Sequence, residues 1–432
     1  MKQKTRTIGL LGAIAIGIGG MVGGGIFAVL GEAVSLAHGA TAVAFLLAGF
    51  VALLTSYSYA KLSVSFQQSG GTVVFIDKAF GHNLLSGSIN LMLWLSYLVT
   101  ISLYAAAFAS YGETFFAQPS LFIKHALICV AILLPFFINL VSASFVSKSE
   151  SIIVLIKVAL LILIIISGLF YVDVNNLSPK QWSSPLTIVA AGMIIFVAYE
   201  GFELIANAAE DIKNPNVNLP RAFYSAVIFV ILLYVLISVV TVGAVPEAQL
   251  MQAKDYALAL AAKPALGQIG FTIVAIAALL STFSAINATI YGNARLGFYL
   301  AKEGELPTKL QNIQHNVPID GVIVTTFFSL IIANSINLTE IAIIGSAGFL
   351  LIFTMVNLSA FKLAKEIKAN RLVIFVALLA SFAALLTLLI HTHHSNEKAV
   401  SVFLLFIAIS IAFEFIYGVY GRGHLFRRQY TR

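Results

Sequence analysis

Twelve predominantly apolar stretches recur along the 432-residue chain, and most reach the roughly 20 residues that a helix needs to cross a ~30 Å hydrocarbon core. They cover residues 8–34, 41–64, 84–111, 124–142, 150–171, 185–208, 219–244, 266–299, 319–335, 338–361, 372–390 and 399–418. Only 10% of the residues are charged, against about 25% in soluble domains. Lipid offers no partner to an open backbone, so runs of this length predict an all-α membrane protein of twelve transmembrane helices. The first run is too long and too rich in glycine for a cleaved signal peptide, and is expected to persist. The longest loops, near 246–265 and 300–318, hold about 20 residues, which predicts one transmembrane domain over 1–432. Chemistry is then confined to the membrane and its faces.

Basic residues orient the chain. With the N-terminus in the cytoplasm, 19 of the 25 Lys and Arg fall at cytoplasmic ends, among them Lys2, Lys4, Arg6, the group Lys362, Lys365, Lys368 and Arg371, and the tail Arg422, Arg427, Arg428 and Arg432. Lys124, Lys180, Lys254, Lys263 and Lys398 fall outside, and Lys157 lies within a span. The positive-inside rule therefore predicts a cytoplasmic-membrane protein with both termini cytoplasmic. The net charge of +7 follows from topology, which removes the reason to expect nucleic acid as a partner. The single Cys129 excludes an intramolecular disulfide. No cofactor motif and no nucleophile–base set points to an enzyme. Oligomeric state is left open, a monomer being sufficient.

Two spans look badly built. The first carries GGMVGGGIF (19–27), five glycines in nine residues, where each glycine costs up to ~1 kcal/mol relative to alanine. Either these glycines let another helix approach closely, or the backbone comes undone there. The sixth carries FVAYEGFELIANAAED (196–211), with Gly201 between Glu200 and Glu203. Breaks in the first and sixth spans are what a five-plus-five inverted repeat predicts, with half-helix ends meeting at a mid-membrane site. Such ends suit a zwitterion: freed N–H groups bind a carboxylate, and freed carbonyls accept from an ammonium.

Three ionisable residues stand inside spans, where a charge costs about 2.5–3.5 kcal/mol unless it finds a cavity or a partner. Glu200 reads either as a negative cavity wall favouring cationic substrates or as a protonated acid bonded within the bundle. Glu203 reads as a gating or helix-bridging hydrogen bond, or as a proton carrier. Lys157 lies about 10 Å inside the fifth span, so it either snorkels to the interface or is a buried amine that exchanges a proton. Ser281, Thr282, Ser284 and Asn287 in the eighth span line an ion path or serve polar packing. Glu414 reads as interfacial, and the HTHH stretch (391–394) as an outer loop without metal-site spacing.

The motifs resemble those of the amino acid–polyamine–organocation (APC) superfamily of secondary transporters over nearly the full length. They are MVGGGIF (21–27), FVAYEGFE (196–203), KNPNVNLPRA (213–222), SGG (69–71) with AFG (79–81), and LAKEGELP (300–307). IVLIKVALLIL (153–163), ALAAKPALGQIGF (259–271) and SAINATIYG (284–292) are similar to the ApcT-like, proton-coupled, broad-specificity branch. The resemblance implies a LeuT-like repeat in spans 1–10 (8–361), peripheral spans 11 and 12 (372–418), and uptake of amino acids by alternating access with H⁺. It implies that Gly23, Gly24 and Gly25 bind the substrate carboxylate. Carbonyls of Met21, Val22, Val197, Ala198 and Glu200 would take the amine, with Phe202 helping to close the site. It places Lys157 where other members hold sodium, so that proton loss and gain there couple the first, fifth and eighth spans, with Ser281, Ser284 and Glu203 as partners. Three departures stand out: Gly24 replaces the usual Ser or Thr, Val197 an aromatic lid, and Glu200 a small or apolar residue. An amino-acid or polyamine exchanger and a transport-inactive sensor are the rival readings.

Overall fold

The computed structural model describes residues 6–68, 70–141, 143–314 and 317–423; Lys2, Lys4, Ser69, Arg427, Arg428 and Arg432 lie outside the described residues. Helices α1 (Leu10–Met21), α2 (Gly25–Ala37), α3 (Thr41–Ser65), α4 (Thr72–Phe80), α5 (Leu84–Glu113), α6 (Leu121–Val141), α7 (Ala143–Gly168), α8 (Pro185–Ile194) and α9 (Leu204–Asn207) form the first half. They are followed by α10 (Pro215–Ala244), α11 (Glu247–Gln252), α12 (Ala257–Ala261), α13 (Lys263–Lys302), α14 (Ile319–Ser335), α15 (Leu338–Lys362), α16 (Arg371–Ser395) and α17 (Glu397–Ile416). Among the described residues the only strand pairing in a sheet is a two-residue ladder, Ile313–Gln314 with Val317–Pro318.

Nine of these helices are long and apolar enough to cross a membrane, and eleven spans result if each of two bent pairs is one. The bent pairs are α1 with α2, and α8 with the segment Phe196–Asn207, each turning by 49°. Helix α14 stands at the ninth predicted run but has 17 residues, about 26 Å at 1.5 Å per residue and short of a ~30 Å core. Burial separates inner from outer spans. Helices α5 and α15 are 89% and 83% buried over their apolar windows, whereas α16 and the α17 span are 33% and 28%. Side chains such as Leu372, Phe375, Leu404 and Phe415 stay exposed, which suits a surface solvated by lipid tails.

Polar caps mark where several helices begin. Asn83 accepts from the N–H groups of Leu85 and Ser86 while the Ser86 hydroxyl accepts from Asn83 N–H, closing a capping box at the start of α5. Ser184, Asn337, Asn370 and Asn396 cap α8, α15, α16 and α17 through their side chains. HTHH lies within the last turns of α16 rather than in a loop. Aliphatic neighbours continue the helical register through the histidines, and Asn396 ends it.

Polar contacts fasten both ends of the bundle. At the end where the chain begins, Arg6 donates to Gln67 Oε1 at 2.7 Å and to the Ile212 carbonyl at 2.9 Å. Lys362 sits over the Phe80 ring. Backbone bonds Ile8 N–H to Asp211 O (2.9 Å) and Lys213 N–H to Ile8 O (2.8 Å) tie the start of α1 to the chain just after α9. At the opposite end, Lys254 pairs with Glu32 at 2.5 Å, and the Thr339 hydroxyl donates to the same carboxylate at 2.8 Å. The Lys254 backbone also lies directly on Gly31, leaving no room for a Cβ there. Lys398 meets Glu340 at 3.0 Å. The loop between α11 and α12 is thereby fastened across α2 and α15.

Candidate substrate site at two crossed helix breaks

Both readings of the glycine-rich segment are realised together. Helix α1 ends at Met21, residues 22–24 leave the helical path, and α2 starts at Gly25. In the sixth span the α-helix stops at Ile194, a 3₁₀ turn runs over Phe196–Tyr199, and regular helix resumes at Leu204. The two irregular stretches cross backbone to backbone. A Cβ on Gly20 would lie 2.6 Å from the Gly201 carbonyl oxygen, and one on Gly201 would lie 2.6 Å from Met21 N. Gly25 touches Ala198 in the same way, with a Cβ there 2.8 Å from Ala198 Cα. Gly201 has φ +120°, which glycine adopts readily and other residues do not.

Neighbouring helices hold carbonyls of the first break. The Ser281 hydroxyl on α13 donates to Gly23 O at 2.5 Å, and Lys157 Nζ on α7 donates to Gly19 O at 3.2 Å. The Tyr234 hydroxyl on α10 reaches Met21 O (2.7 Å) and Ala198 O (3.2 Å), one from each break. Lys157 is therefore a buried amine at 2% exposure rather than a snorkelling one. Ser284 is buried one turn beyond Ser281. Asn287 Oδ1 accepts from Asn139 on α6 at 2.8 Å, and the Thr282 hydroxyl donates to the Ala278 carbonyl of its own helix at 2.7 Å, so these two serve packing. The N–H groups of Gly23, Gly24 and Gly25 make no backbone hydrogen bond among the described residues. They open α2 with the partial positive charge of a helix N-terminus.

A cavity of about 420 Å³ ends at this crossing. Its walls come from Gly12 and Ile16 of α1, Thr72, Asn207, and Asn293 and Leu296 of α13, and it reaches Gly19, Gly20, Tyr104 and Glu200. No residue of α2 or α8 lines it, so it lies wholly on the chain-start side of the breaks. The size falls within the ~300–1,000 Å³ typical of small-molecule sites.

The two acids divide as a break at Gly201 predicts. Glu200 lies on the cavity wall, its Oε2 accepting from Tyr104 OH at 3.3 Å. Glu203 turns back into the bundle, accepting from Gly201 N–H at 2.8 Å and from Tyr97 OH at 3.0 Å. It thus bridges the sixth span to α5.

The profile of the amino acid permease family matches residues 8–420, nearly the whole chain. The chain belongs to this family. The permease is 33% identical over 420 residues to the uncharacterized protein MJ0609 of Methanocaldococcus jannaschii, covering 96% of each chain. It is 34% identical over 378 residues to the inner membrane transport protein YbaT of Escherichia coli, covering 87% of each. It is also 29% identical over 405 residues to the methylthioribose transporter of Bacillus subtilis, covering 89% of the permease and 87% of that protein. It is a multi-pass membrane transporter of a non-enzymatic family.

Of the residues expected to bind substrate, Glu200 alone stands on the cavity wall; Met21, Val22, Gly23, Gly24, Gly25, Val197, Ala198 and Phe202 are buried around the crossing. Phe202 packs between Tyr59 and Phe353, with ring centroids 5.4 and 5.1 Å away, and faces the aromatic core. Val197 N–H donates to Ser346 Oγ at 2.9 Å, fixing the sixth-span break to α15. Glu414 is 2% exposed and held by Arg422 at 2.7 Å. Sequence reasoning missed Tyr97, Tyr104, Tyr234 and Glu32. A lone tyrosine in an apolar helix carries no pattern, and Glu32 sits at the end of a run where an acid excites no suspicion.

Proposed function

We propose that the permease is a secondary active transporter that takes up amino acids across the cytoplasmic membrane by alternating access, in symport with H⁺. The observation that carries this reading is the crossing of two broken helices at the closed end of a cavity. In this reading the chain makes twelve crossings with both termini cytoplasmic, α14 being the ninth. Residues 8–361 form a LeuT-like five-plus-five inverted repeat, and 372–418 lie outside it. The cavity is then the cytoplasmic vestibule, and the Lys254–Glu32–Thr339 cluster closes the opposite face.

The substrate carboxylate rests on the N–H groups of Gly23, Gly24 and Gly25, where backbone dipoles favour an anion. Its ammonium goes to the carbonyl side of the breaks, at Met21, Val22, Val197, Ala198 and Glu200. Lys157 carries the proton, and its contact with Gly19 O joins its charge state to the backbone of the first break. Ser281 and Ser284 support the same break from α13, while Glu203 links the second to α5.

Uptake of labelled amino acids into proteoliposomes, with and without an acid-outside pH gradient, tests the reading. Methylthioribose belongs in the panel because a relative is named for it. Gradient-driven accumulation of amino acids is the expected result. Counterflow without any response to the gradient would select the exchanger, and binding without flux the sensor.

Glu200 further biases the site toward cationic side chains. A hydrogen bond to a charged partner contributes about 1.5–3 kcal/mol. Glu200→Gln is therefore expected to lower arginine, lysine and ornithine transport at least about tenfold, leaving leucine and alanine nearly unchanged. Equal loss for every substrate would count against a cationic bias.

A further inference from the structure

One side chain from outside the two broken spans touches both breaks and also lines the cavity. Tyr104 of α5 stands on the cavity wall. Its hydroxyl donates to Glu200 of the sixth span at 3.3 Å. Its ring lies on Gly24 of the first: a Cβ there would collide with Tyr104 Cδ1 and stand 2.7 Å from Cγ and 2.8 Å from Cε1. A Cβ on Gly23 would stand 3.5 Å from the phenol oxygen. The collision is at the root of the ring, so tilting its far end cannot relieve it; the whole side chain must change rotamer. Position 24 and residue 104 compete for one volume, and only one of them can fill it.

Gly23 and Gly24 do not line the cavity, whereas Tyr104 does. A molecule in the cavity therefore meets the phenol before it meets the N–H groups of the first break. A phenol hydroxyl both donates and accepts. A substrate carboxylate beside Gly23 offers the phenol hydrogen an acceptor in place of Glu200.

We propose that Tyr104 is a specificity-determining residue of the permease. Its hydroxyl binds the polar head of an amino acid between the two breaks. Its ring, in place of a side chain at position 24, sets how large a substrate reaches them. This inference rests on the amino-acid reading above.

The test measures binding of L-arginine, L-leucine and L-alanine to purified full-length protein, with the melting temperature of each variant as a control on folding. Tyr104→Phe keeps the ring and is expected to weaken binding of all three about tenfold at an unchanged melting temperature. Gly24→Ala is expected to weaken binding about a hundredfold, and Tyr104→Ala in the same chain to bring it back to the roughly tenfold loss of Tyr104→Phe while shifting preference toward the larger ligands. Rescue of this kind is not produced by a residue that only supports the fold. Tyr104→Phe binding like wild type overturns the role of the hydroxyl. Gly24→Ala binding like wild type with Tyr104 in place overturns the competition for volume. Wild-type protein that binds none of the three overturns the amino-acid reading and the assignment together, whereas wild-type binding with indifferent variants overturns the assignment alone.

Discussion

Gly201→Ala is expected to leave no transport-competent protein. The substitution meets two independent penalties. Gly201 holds φ +120°, a conformation that costs an L side chain about 1–3 kcal/mol. The added methyl would also press on the backbone of Gly20 and Met21, which cannot rotate aside as a side chain would. Overpacking of this kind costs about 1–3 kcal/mol more. Together they remove a large part of the ~5–15 kcal/mol that holds an ordinary domain folded. The expected readout is a clear fall in melting temperature in detergent, with uptake near background. Gly292→Ala is the control, since that glycine lines the cavity away from the crossing and a Cβ there meets nothing within 4 Å. A Gly201→Ala protein that melts with the Gly292→Ala control would show that the crossing has slack.

The second large effect is expected at Lys157. In symport of one proton per substrate, a gradient of one pH unit supports about tenfold accumulation. Lys157→Ala should reduce that ratio to unity and make initial uptake independent of external pH. Substrate binding measured at equilibrium should survive, because Ser281 and Tyr234 still hold the neighbouring carbonyls at Gly23 and Met21. Unchanged pH dependence in a variant that still binds substrate would remove Lys157 from the coupling step.

What the sequence disclosed and what it hid follow from how each feature is encoded. The breaks were legible because glycines and intramembrane acids are costly in a lipid-facing helix, so their presence demands a reason. The extent of the second break was not: residues from Ile195 to Glu203 leave the α-helical path, although only Gly201 marks it locally. The 3₁₀ turn over Phe196–Tyr199 depends on Ser346 of α15, which accepts from Val197 N–H and donates to Ile194 O. That partner is about 150 residues away and has no local signature. The same holds for Tyr104, whose ring fills the volume that a side chain at Gly24 would need. The space at one position is set by a ring from another helix, which no periodicity records.

The two inner half-segments, Leu10–Met21 and the chain from Gly201 to Lys213, are tied at both ends. Ile8 pairs with the backbone at Asp211–Lys213, and Gly20 rests on Gly201. At neither junction does a flexible side chain intervene to absorb displacement. Moving one segment alone would break the backbone hydrogen bonds at Ile8 and open the packed crossing, so the two are joined as one lever with bearings at its tips. Bare backbone contact at both junctions makes the position of each segment a report on the position of the other.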